Sequence, residues 1–194
     1  MYDVKNSIYT YPGSEVLKNK LNIQDEEKLK NYEVDMVAFK LSTIEKHIKK
    51  TYDENHLKAI HKHLFEEVYD FAGKYRKENI EKENFRFSEY EYIEENLKQI
   101  MKKIDLEQLK KLSFDDLVIF ISQIMTDLNV LHPFREGNGR TTREFIRELL
   151  YDLGYEINFF LIDYEEILNA SKKAVVDETE QIALLKRSIQ KLEK

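Results

Sequence analysis

The sequence predicts an all-α fold with one β-hairpin, and two patterns support this prediction. Apolar residues recur at helical spacing over most of the 194-residue chain, whereas only residues 71–88 alternate in the manner of strands. Hydrophobic residues make up 42% and charged residues 35% of the chain, which is typical of soluble globular proteins. Because five glycines and two prolines leave little room for linkers, we expect a single domain over residues 1–194.

Composition also restricts the function. A formal net charge of -6 argues against a general nucleic-acid binder, whose surface is normally basic. The absence of cysteine excludes disulfides and cysteine-ligated zinc, and it fits a reducing compartment. The amino terminus does not resemble a signal peptide, and no apolar run approaches the length of a membrane span. We therefore expect no membrane partner.

The first third of the chain predicts an irregular arm and a pair of helices. Residues 1–30 are polar, with a turn at Pro12-Gly13, and a short helix is expected from Asp25 to Asn31. Two apolar stripes then predict helices that pack as an antiparallel hairpin, since few polar residues separate them. The stripes are Val37, Leu41, Ile44 and Ile48, then Leu57, Ile60, His61, Leu64, Phe65 and Val68. The spacing of His56 and His63 would permit a shared metal, although surface or half-buried helix histidines are the commoner case.

The rest of the chain predicts one hairpin and several helices. Alternation at 75–79 and at Phe85 and Phe87 predicts two short strands within residues 71–88. Helical stripes follow in residues 93–104, 117–128, 145–149 and 182–192. Three pairs with capping-box spacing mark helix starts, namely Ser113 with Asp116, Asp163 with Glu166, and Asp177 with Glu180.

Polar chemistry is concentrated in residues 132–143, His-Pro-Phe-Arg-Glu-Gly-Asn-Gly-Arg-Thr-Thr-Arg, here called the motif segment. Pro133 biases His132 away from helical geometry, so the preceding helix should end by Leu131 or His132. Gly137 and Gly139 permit positive φ, and Asn138 between them tolerates it. Such a turn at the start of a helix presents main-chain N–H groups to an anion, so the segment predicts a phosphate site.

The charged residues of the motif segment fit the same chemistry. Arg140 and Arg143 lie three apart near the helix start, where each could grip a phosphate. Glu136 offers a hard oxygen ligand for Mg²⁺ on a polyphosphate, and His132 is a natural general base. Each residue alone has an ordinary structural explanation. Their joint occurrence in a fixed order favours a functional site.

The motif segment resembles the signature of Fic domains, H-x-F-x-[D/E]-G-N-G-R-x-x-R, with every fixed position matched. Residues 11–21 are similar to the amino-terminal segment of bacterial Fic proteins. Phe71-Ala-Gly-Lys-Tyr-Arg76 and Asn84-Phe-Arg-Phe87 are similar to the flap that precedes the active site. The resemblance implies a Fic-type helical domain in which residues 71–88, here called the flap, cover the motif segment.

The resemblance implies transfer of AMP from ATP to a Ser, Thr or Tyr hydroxyl of a target protein, with release of diphosphate. His132 is then the base and Glu136 holds Mg²⁺ between the phosphates. The phosphates are bound by Gly137, Asn138, Gly139, Arg140 and Arg143, Asn138 also by its amide. The resemblance also implies that Phe134 is an apolar pin and that Arg135 points to solvent.

Weaker assignments concern the flap and the nucleoside. A target segment is expected to dock along the flap by strand addition, with ATP or target contacts from Asn84, Phe85, Arg86 and Phe87. Packing on the core explains Phe85 and Phe87 equally well. Tyr164 and Ser171, on the helix after the motif, are candidates for the nucleoside pocket.

Two alternatives to AMP transfer remain. Relatives with the same site move phosphate, other nucleotides or phosphocholine, or remove AMP; the phosphate-transferring ones have Lys where this chain has Gly139, which favours AMP transfer. A non-enzymatic nucleotide-binding module is the other alternative, against which His132 and Glu136 argue.

Regulation and location are expectations from the resemblance alone. Many Fic enzymes are held inactive by a helix bearing [S/T]-x-x-x-E-[G/N], whose glutamate pairs with the arginine at the position of Arg143. This chain has no such match. The inhibitory helix is therefore expected in a separate small antitoxin-like protein, as in toxin–antitoxin pairs, or in a part of the protein outside this sequence. The resemblance places the protein in the bacterial cytoplasm, or in a host cell after delivery.

Overall fold

Helices form most of the computed structural model, which describes residues 7–82 and 85–193. The helices of this part of the chain are α1 (Glu26–Leu41), α2 (Glu54–Phe65), α3 (Ile93–Met101), α4 (Leu106–Leu109), α5 (Phe114–Leu131), α6 (Asn138–Asp152), α7 (Tyr164–Lys173) and α8 (Thr179–Ser188). Its strands are β1 (Glu81–Lys82), β2 (Phe85–Arg86), β3 (Tyr155–Ile157) and β4 (Ile189–Lys191). The predicted fold class, helices with a small antiparallel hairpin, is confirmed.

Helix α5 is central, and its ends lie where the sequence predicted them. It packs against α3, α6, α7 and α8, with one face fully buried. The Ser113 hydroxyl accepts a hydrogen bond from the Asp116 N–H at 3.1 Å, which caps the helix. The helix ends at Leu131, and the next residue, His132, is left-handed with φ 49° and ψ 62°. The catalytic candidate therefore lies directly after the central helix.

Helix α2 lies between α1 and α6 and packs against the motif segment. It runs antiparallel to α1, as predicted, because contacts step from Thr43–His63 through Lys40–Glu66 to Glu33–Tyr69. On its other side, His56 Nε2 donates to the buried carboxylate of Glu148 on α6 at 2.7 Å. His63 lies instead near the Lys40 carbonyl. The two imidazoles therefore have separate partners and do not share a metal, and the described residues contain no group of three or more His, Cys, Asp or Glu that could hold one.

The boundaries of the first helix differ from the prediction. The short helix expected at residues 25–31 and the stripe that starts near Val34 are one helix, α1, capped by the Asp25 carboxylate. Ile44 lies beyond it in a short 3₁₀ helix, Ile44–Lys46. The apolar stripe does not extend over the whole of α1, because this helix buries a charged residue, Glu33, between Leu29 and Val37.

The carboxyl-terminal helix is shorter than predicted. Ile189 and Leu192 were assigned to it from their spacing, but α8 ends at Ser188 and β4 pairs antiparallel with β3. Ile189 stays buried as a strand residue, so its apolar character fits either structure. Asp177 accepts hydrogen bonds from the N–H and hydroxyl of Thr179, one residue further from the helix than a capping box requires.

The flap has less strand structure than predicted. Its strands contain two residues each, paired Glu81 with Arg86 and Lys82 with Phe85, and residues 75–79 form no strand. Residues 83 and 84 of its turn lie outside the described residues, and so does the assignment made to Asn84. Among the described helices, none is long and apolar enough to cross a membrane.

The amino-terminal arm, described from residue 7, is irregular, as expected. A single bridge joins Thr10 to Leu17 around the turn at Pro12-Gly13. The arm is fastened to the rest of the fold by Lys20 N–H, which donates to the Val68 carbonyl at 2.9 Å, and by Tyr9, whose ring packs edge-on to Phe71.

Candidate active site

The motif segment turns sharply at two residues, His132 and Gly137. Both have left-handed backbone geometry, with φ 49° and 81°. Asn138 and Gly139 already belong to α6, so of the three residues that permit this geometry only Gly137 uses it. A Cβ at Gly137 would lie 2.3 Å from two carbons of the Phe65 ring. Glycine is therefore required here by both backbone geometry and space.

Phe134 and Asn138 hold the loop in shape. Phe134 is buried and stacks on His61, with ring centroids 3.8 Å apart, in agreement with its expected role as a pin. The Asn138 amide is also buried; its oxygen accepts from the Phe134 N–H and its nitrogen donates to the Phe134 carbonyl. The loop itself thus takes the amide oxygen and one of the two amide hydrogens, and the expectation that this amide binds phosphate stays a prediction. The main-chain N–H of Asn138 lies in the first turn of α6, where it has no acceptor within the helix.

His61 was predicted only as part of an apolar stripe, but it supports the motif segment directly. Its Nδ1 accepts from the Gly73 N–H at 2.8 Å, so the proton is on Nε2, which donates to the Glu136 carbonyl at 2.9 Å. Burial lowers the pKa of His61 to about 3, so the ring stays neutral. A histidine within an apolar helix face was the only signal in the sequence.

His132 is held as a neutral imidazole in one tautomer. Its Nδ1 lies 3.1 Å from the Asn129 carbonyl, which can only accept, so Nδ1 carries the proton and Nε2 the lone pair. Burial lowers the pKa of His132 to about 3, and the positive charges of Arg76 and Lys82 act in the same direction. The Phe87 ring of the flap stacks on it, with centroids 3.8 Å apart. This is the form that a general base requires.

Arg140 is held on three sides. Its Nη1 lies 2.6 Å from the buried carboxylate of Glu33, and its Nη2 lies 3.3 Å from Glu136. Its guanidinium carbon lies 4.8 Å from the centroid of the Phe65 ring. Glu33 is itself held by a hydrogen bond from the Tyr69 hydroxyl. Although burial opposes the charged form, the two carboxylates raise the pKa of Arg140.

Arg143 differs from Arg140 in having no such partners. Among the described residues, no group accepts a hydrogen bond from it or forms an ion pair with it. Burial and the charge of Arg140 lower the pKa of Arg143, so an arriving anion would be favoured. The guanidinium lies against Gly139, where an added Cβ would stand 3.1 Å from Nη1.

A pocket opens beside Arg143 between α5, α6 and α7. Its lining is Met125, Leu128, Asn129, Asn138, Gly139, Thr142, Arg143, Ile167 and Ser171. Ser171, a candidate for the nucleoside pocket, is among these lining residues, and its role stays a prediction. Tyr164 does not line the pocket and is 61% exposed, although it acts electrostatically on Arg143.

Two arginines lie elsewhere than the sequence suggested. Arg135 was expected to point to solvent, but it is buried and its Nε donates to the Glu78 carboxylate at 3.0 Å. This is possible because Glu78, just before β1, faces the motif segment. Arg76 is also buried and was not recognised as part of the site. Nothing in the spacing of charged residues signals either position.

The flap side chains divide between core and solvent. Phe87 is buried on His132, and Phe85 is half-buried with its ring edge-on to Phe87. Arg86 is exposed and pairs with Glu89. The two explanations for Phe87 were contact with a target and packing within the protein. The geometry supports packing, here against the His132 ring.

Comparison with known proteins identifies the family. The model of the Fic/DOC family matches residues 51–150, just over half of the chain. The protein adenylyltransferase VbhT of Bartonella schoenbuchensis is 36% identical over 193 residues, which are 97% of this chain and 40% of VbhT. The probable protein adenylyltransferase Fic of Salmonella typhimurium is 32% identical, over 78% of this chain and 76% of that protein.

Solved structures have the same fold. The N-terminal Fic domain of a putative cell filamentation protein from Bartonella quintana, crystallised with bound ADP, aligns with a TM-score of 0.86 at 25% identity. The alignment covers 95% of both chains. A mostly helical domain is thus the common architecture. The chain belongs to the Fic/DOC family, and it spans two fifths of the length of VbhT.

Gly137 provides a test of the loop geometry. Gly137→Ala combines backbone strain with a clash against Phe65, so we expect a loss of about 2 kcal/mol or more in unfolding free energy and weaker nucleotide binding. Gly154→Ala is the matched control, because Gly154 also has positive φ but open space around its Cα. Chemical denaturation of both variants measures the difference. Equal losses in the two variants would show that the Phe65 contact is unimportant.

Proposed function

We propose that this chain is a protein adenylyltransferase that transfers AMP from ATP to a hydroxyl of a target protein. One observation carries the proposal: the motif segment begins with a neutral imidazole, His132, and ends on α6 with Arg143, an arginine without a described partner. The names of the similar adenylyltransferases and the ADP in the Bartonella quintana structure support it.

His132 is the general base of the proposed reaction. Its Nε2 lone pair accepts the proton of the target hydroxyl, and the oxygen attacks the α-phosphorus of ATP. A bond forms between this oxygen and the α-phosphorus, and the bond from the α-phosphorus to the departing diphosphate breaks. The Asn129 carbonyl keeps the Nδ1 proton in place, so Nε2 is the only ring nitrogen that can accept.

The start of α6 binds the phosphates. The main-chain N–H groups of Asn138 and Gly139 lie in its first turn and, with the helix dipole, favour an anion. Arg143 is assigned to the γ-phosphate because no described residue competes for it. Arg140 contributes mainly by fixing Glu136, since Glu33 and the Phe65 ring already hold its guanidinium.

Glu136 fits the expected Mg²⁺ ligand. Its side chain is one-third exposed, and Oε1 accepts from Arg140 and the Gly137 N–H, while Oε2 has no hydrogen bond from a described residue. One protein carboxylate suffices for Mg²⁺ that also takes phosphate oxygens and waters. When bound, the ion neutralises charge on the phosphates.

The remaining assignments extend this proposal. Ser171, which lines the pocket, faces the nucleoside, and the target protein docks along Phe85 and Arg86 of the flap. The assignment of Tyr164 to the nucleoside is not kept, because Tyr164 does not line the pocket. We propose that residues 1–194 form one Fic domain and that an inhibitory helix is supplied either by a separate antitoxin-like protein or by a part of the protein outside this sequence. The bacterial cytoplasm, or a host cell after delivery, is the proposed location.

ATP labelled at the α- or γ-phosphate tests the function. The 194-residue chain is incubated with each label and Mg²⁺, alone and in a lysate, and protein-bound label is measured. AMP transfer gives protein label from the α-position only, whereas phosphate transfer gives it from the γ-position only. No label from either would indicate a non-enzymatic module or an AMP-removing enzyme. Because no described carboxylate pairs with Arg143, we expect activity without prior activation.

Replacing His132 tests the base. His132→Ala should lower the AMP-transfer rate by about 10²–10⁴-fold, the usual contribution of a general base, with ATP affinity within about twofold of the wild type. His47→Ala is the matched control, because His47 is exposed and outside the site. Transfer at the wild-type rate in His132→Ala would contradict the assignment.

The pH dependence follows from the low pKa of His132, about 3. An ordinary histidine loses most of its basic form below about pH 6. Here the transfer rate at about pH 5.5 should equal that at about pH 7.5 in a protein that is still folded. A rate that halves near about pH 6.5 would show that the imidazole titrates normally.

The free energy of unfolding, unlike the transfer rate, should decrease as the pH falls. His61 and His132 are neutral when folded, whereas in the unfolded chain they take up protons below their ordinary pKa of 6.5. The unfolded state then binds more protons, so the free energy of unfolding falls as pH drops from 6.5 towards 3. Denaturant titrations at each pH establish where the activity data are valid.

Replacing Glu136 tests the metal assignment. Glu136→Gln keeps a similar shape but removes the negative charge, so Mg²⁺ should no longer strengthen ATP binding. Binding is measured by calorimetry with Mg²⁺ and with a chelator. The wild type should show a difference between these conditions and the variant should not; a Mg²⁺ effect that survives in the variant would place the ion elsewhere.

Arg143 can be tested by comparing nucleotides. Arg143→Ala should weaken ATP binding about tenfold or more and leave AMP binding nearly unchanged, because AMP has no γ-phosphate. Arg147→Ala, one turn along the same helix and paired with Glu144, is the control. Equal losses for ATP and AMP would mean that Arg143 does not contact the γ-phosphate.

A further inference from the structure

Arg76 occupies an unusual position for a charged residue. It lies in the irregular chain before β1, and only 1% of its surface is exposed. Its guanidinium donates to four main-chain carbonyls: His132 from Nε at 2.8 Å, Glu78 from Nη1 at 2.8 Å, and Ser88 and Leu131 from Nη2. Its own N–H donates to the Pro133 carbonyl at 3.0 Å. A buried cation with this many directed bonds is strongly constrained.

Three of these acceptors lie at the end of α5 or just after it. Leu131 is the last residue of α5, and its carbonyl accepts no hydrogen bond within the helix; His132 and Pro133 follow it. A positive charge is also favoured at this end of a helix by the helix dipole. The left-handed geometry of His132, which aims its ring, is costly for a residue other than glycine. Bonds from Arg76 on both sides of it stabilise that geometry.

The other two acceptors form the base of the flap. Glu78 and Ser88 flank the strands β1 and β2, so one guanidinium joins both ends of the hairpin. The Ser88 N–H donates to the Val130 carbonyl on α5 at 3.1 Å. Next to Ser88, the Phe87 ring stacks on the His132 imidazole. Arg76 therefore connects the backbone of His132 to the residue that covers its ring.

We propose that Arg76 is a positioning residue that fixes the main chain of His132 and the base of the flap in one arrangement, so that the orientation of the imidazole and the Phe87 ring above it are set together. The proposal rests on the proposed function only in taking His132 as the base. Arg76 touches neither the first turn of α6 nor Arg143 in any described contact, so it should act on the chemical step and not on ATP binding.

Two substitutions separate geometry from charge. Arg76→Lys keeps a positive charge but offers one ammonium group, which cannot span four carbonyls in the plane of a guanidinium. Arg76→Gln removes the charge as well. Arg187→Met is the control, because Arg187 is an exposed arginine paired with Glu166 between α7 and α8. Folding is checked by thermal unfolding, and kcat, KM for ATP and ATP affinity are then measured.

The expected result is a split between rate and binding. Arg76→Lys should lower kcat about tenfold or more, while ATP affinity and KM stay within about twofold, because misplacement of the base alone can cost this much. A kcat like that of the wild type would overturn the proposal. So would equal losses in kcat and ATP affinity, or failure of both variants to fold, since each indicates a purely structural role.

A resonance measurement is independent of AMP transfer. The imidazole signals of ¹⁵N-labelled His132 are followed against pH in the wild type and both variants. Two charged groups act on the His132 ring: Arg76, which precedes β1, and Lys82, which lies in β1. Arg76→Lys should shift the signals by moving the ring but leave the pKa low, whereas Arg76→Gln should also raise the pKa. Unchanged signals in both variants would overturn the proposal even if the chain transfers no AMP, and shifted signals would support it in that case.

Discussion

The contact between Gly137 and the Phe65 ring is the constraint on which the rest of the site depends. It allows the motif segment to lie directly on α2, with no side chain in between. On the same surface, His61 stacks under Phe134 and bonds to the Glu136 carbonyl, and the Arg140 guanidinium covers Phe65. Helix α2 thus provides an aromatic platform, the rings of His61 and Phe65, that sets the direction of the loop and of the helix after it.

The arginines around this platform have different roles, although the sequence makes them look alike. Arg76, Arg135 and Arg140 are each engaged by carbonyls or carboxylates of the protein. Arg143, by contrast, has no hydrogen bond or ion pair to a described residue. Three of these four positive charges are therefore used within the protein, by backbone carbonyls for Arg76 and by carboxylates for Arg135 and Arg140. An acidic chain can therefore still offer a local positive charge to the polyphosphate proposed as its ligand.

Sequence reasoning predicted what depends on local physics. The end of α5 at Leu131 follows from Pro133, the start of the same helix follows from Ser113, and the buried pin at Phe134 follows from the family motif. What it missed depends on contacts between distant segments. The strand at Ile189 needs β3 as its partner, and the burial of Arg135 needs Glu78. No local pattern contains either contact.

The same limit applies to polar residues in helical stripes. Glu33 and His61 occupy core-facing positions of α1 and α2, where a periodic pattern is expected to be apolar. Each is buried because it has a partner in or beside the motif segment, Arg140 for Glu33 and the Glu136 carbonyl for His61. An interruption of an apolar stripe by a polar residue is therefore a sign of a supporting contact, which the sequence does not identify.

The place of Glu33 in the chain affects how this site could have arisen and how it could be transplanted. Residues 51–150, which match the family model, contain the whole motif, but Glu33 lies before them on α1. The carboxylate that holds Arg140 is thus contributed by a helix outside the matched part. A segment cut at the limits of sequence similarity and grafted onto another scaffold would keep every residue of the motif and lose the counter-charge of one of them. Electrostatic dependence, and not similarity alone, sets the size of the smallest unit that can carry this site.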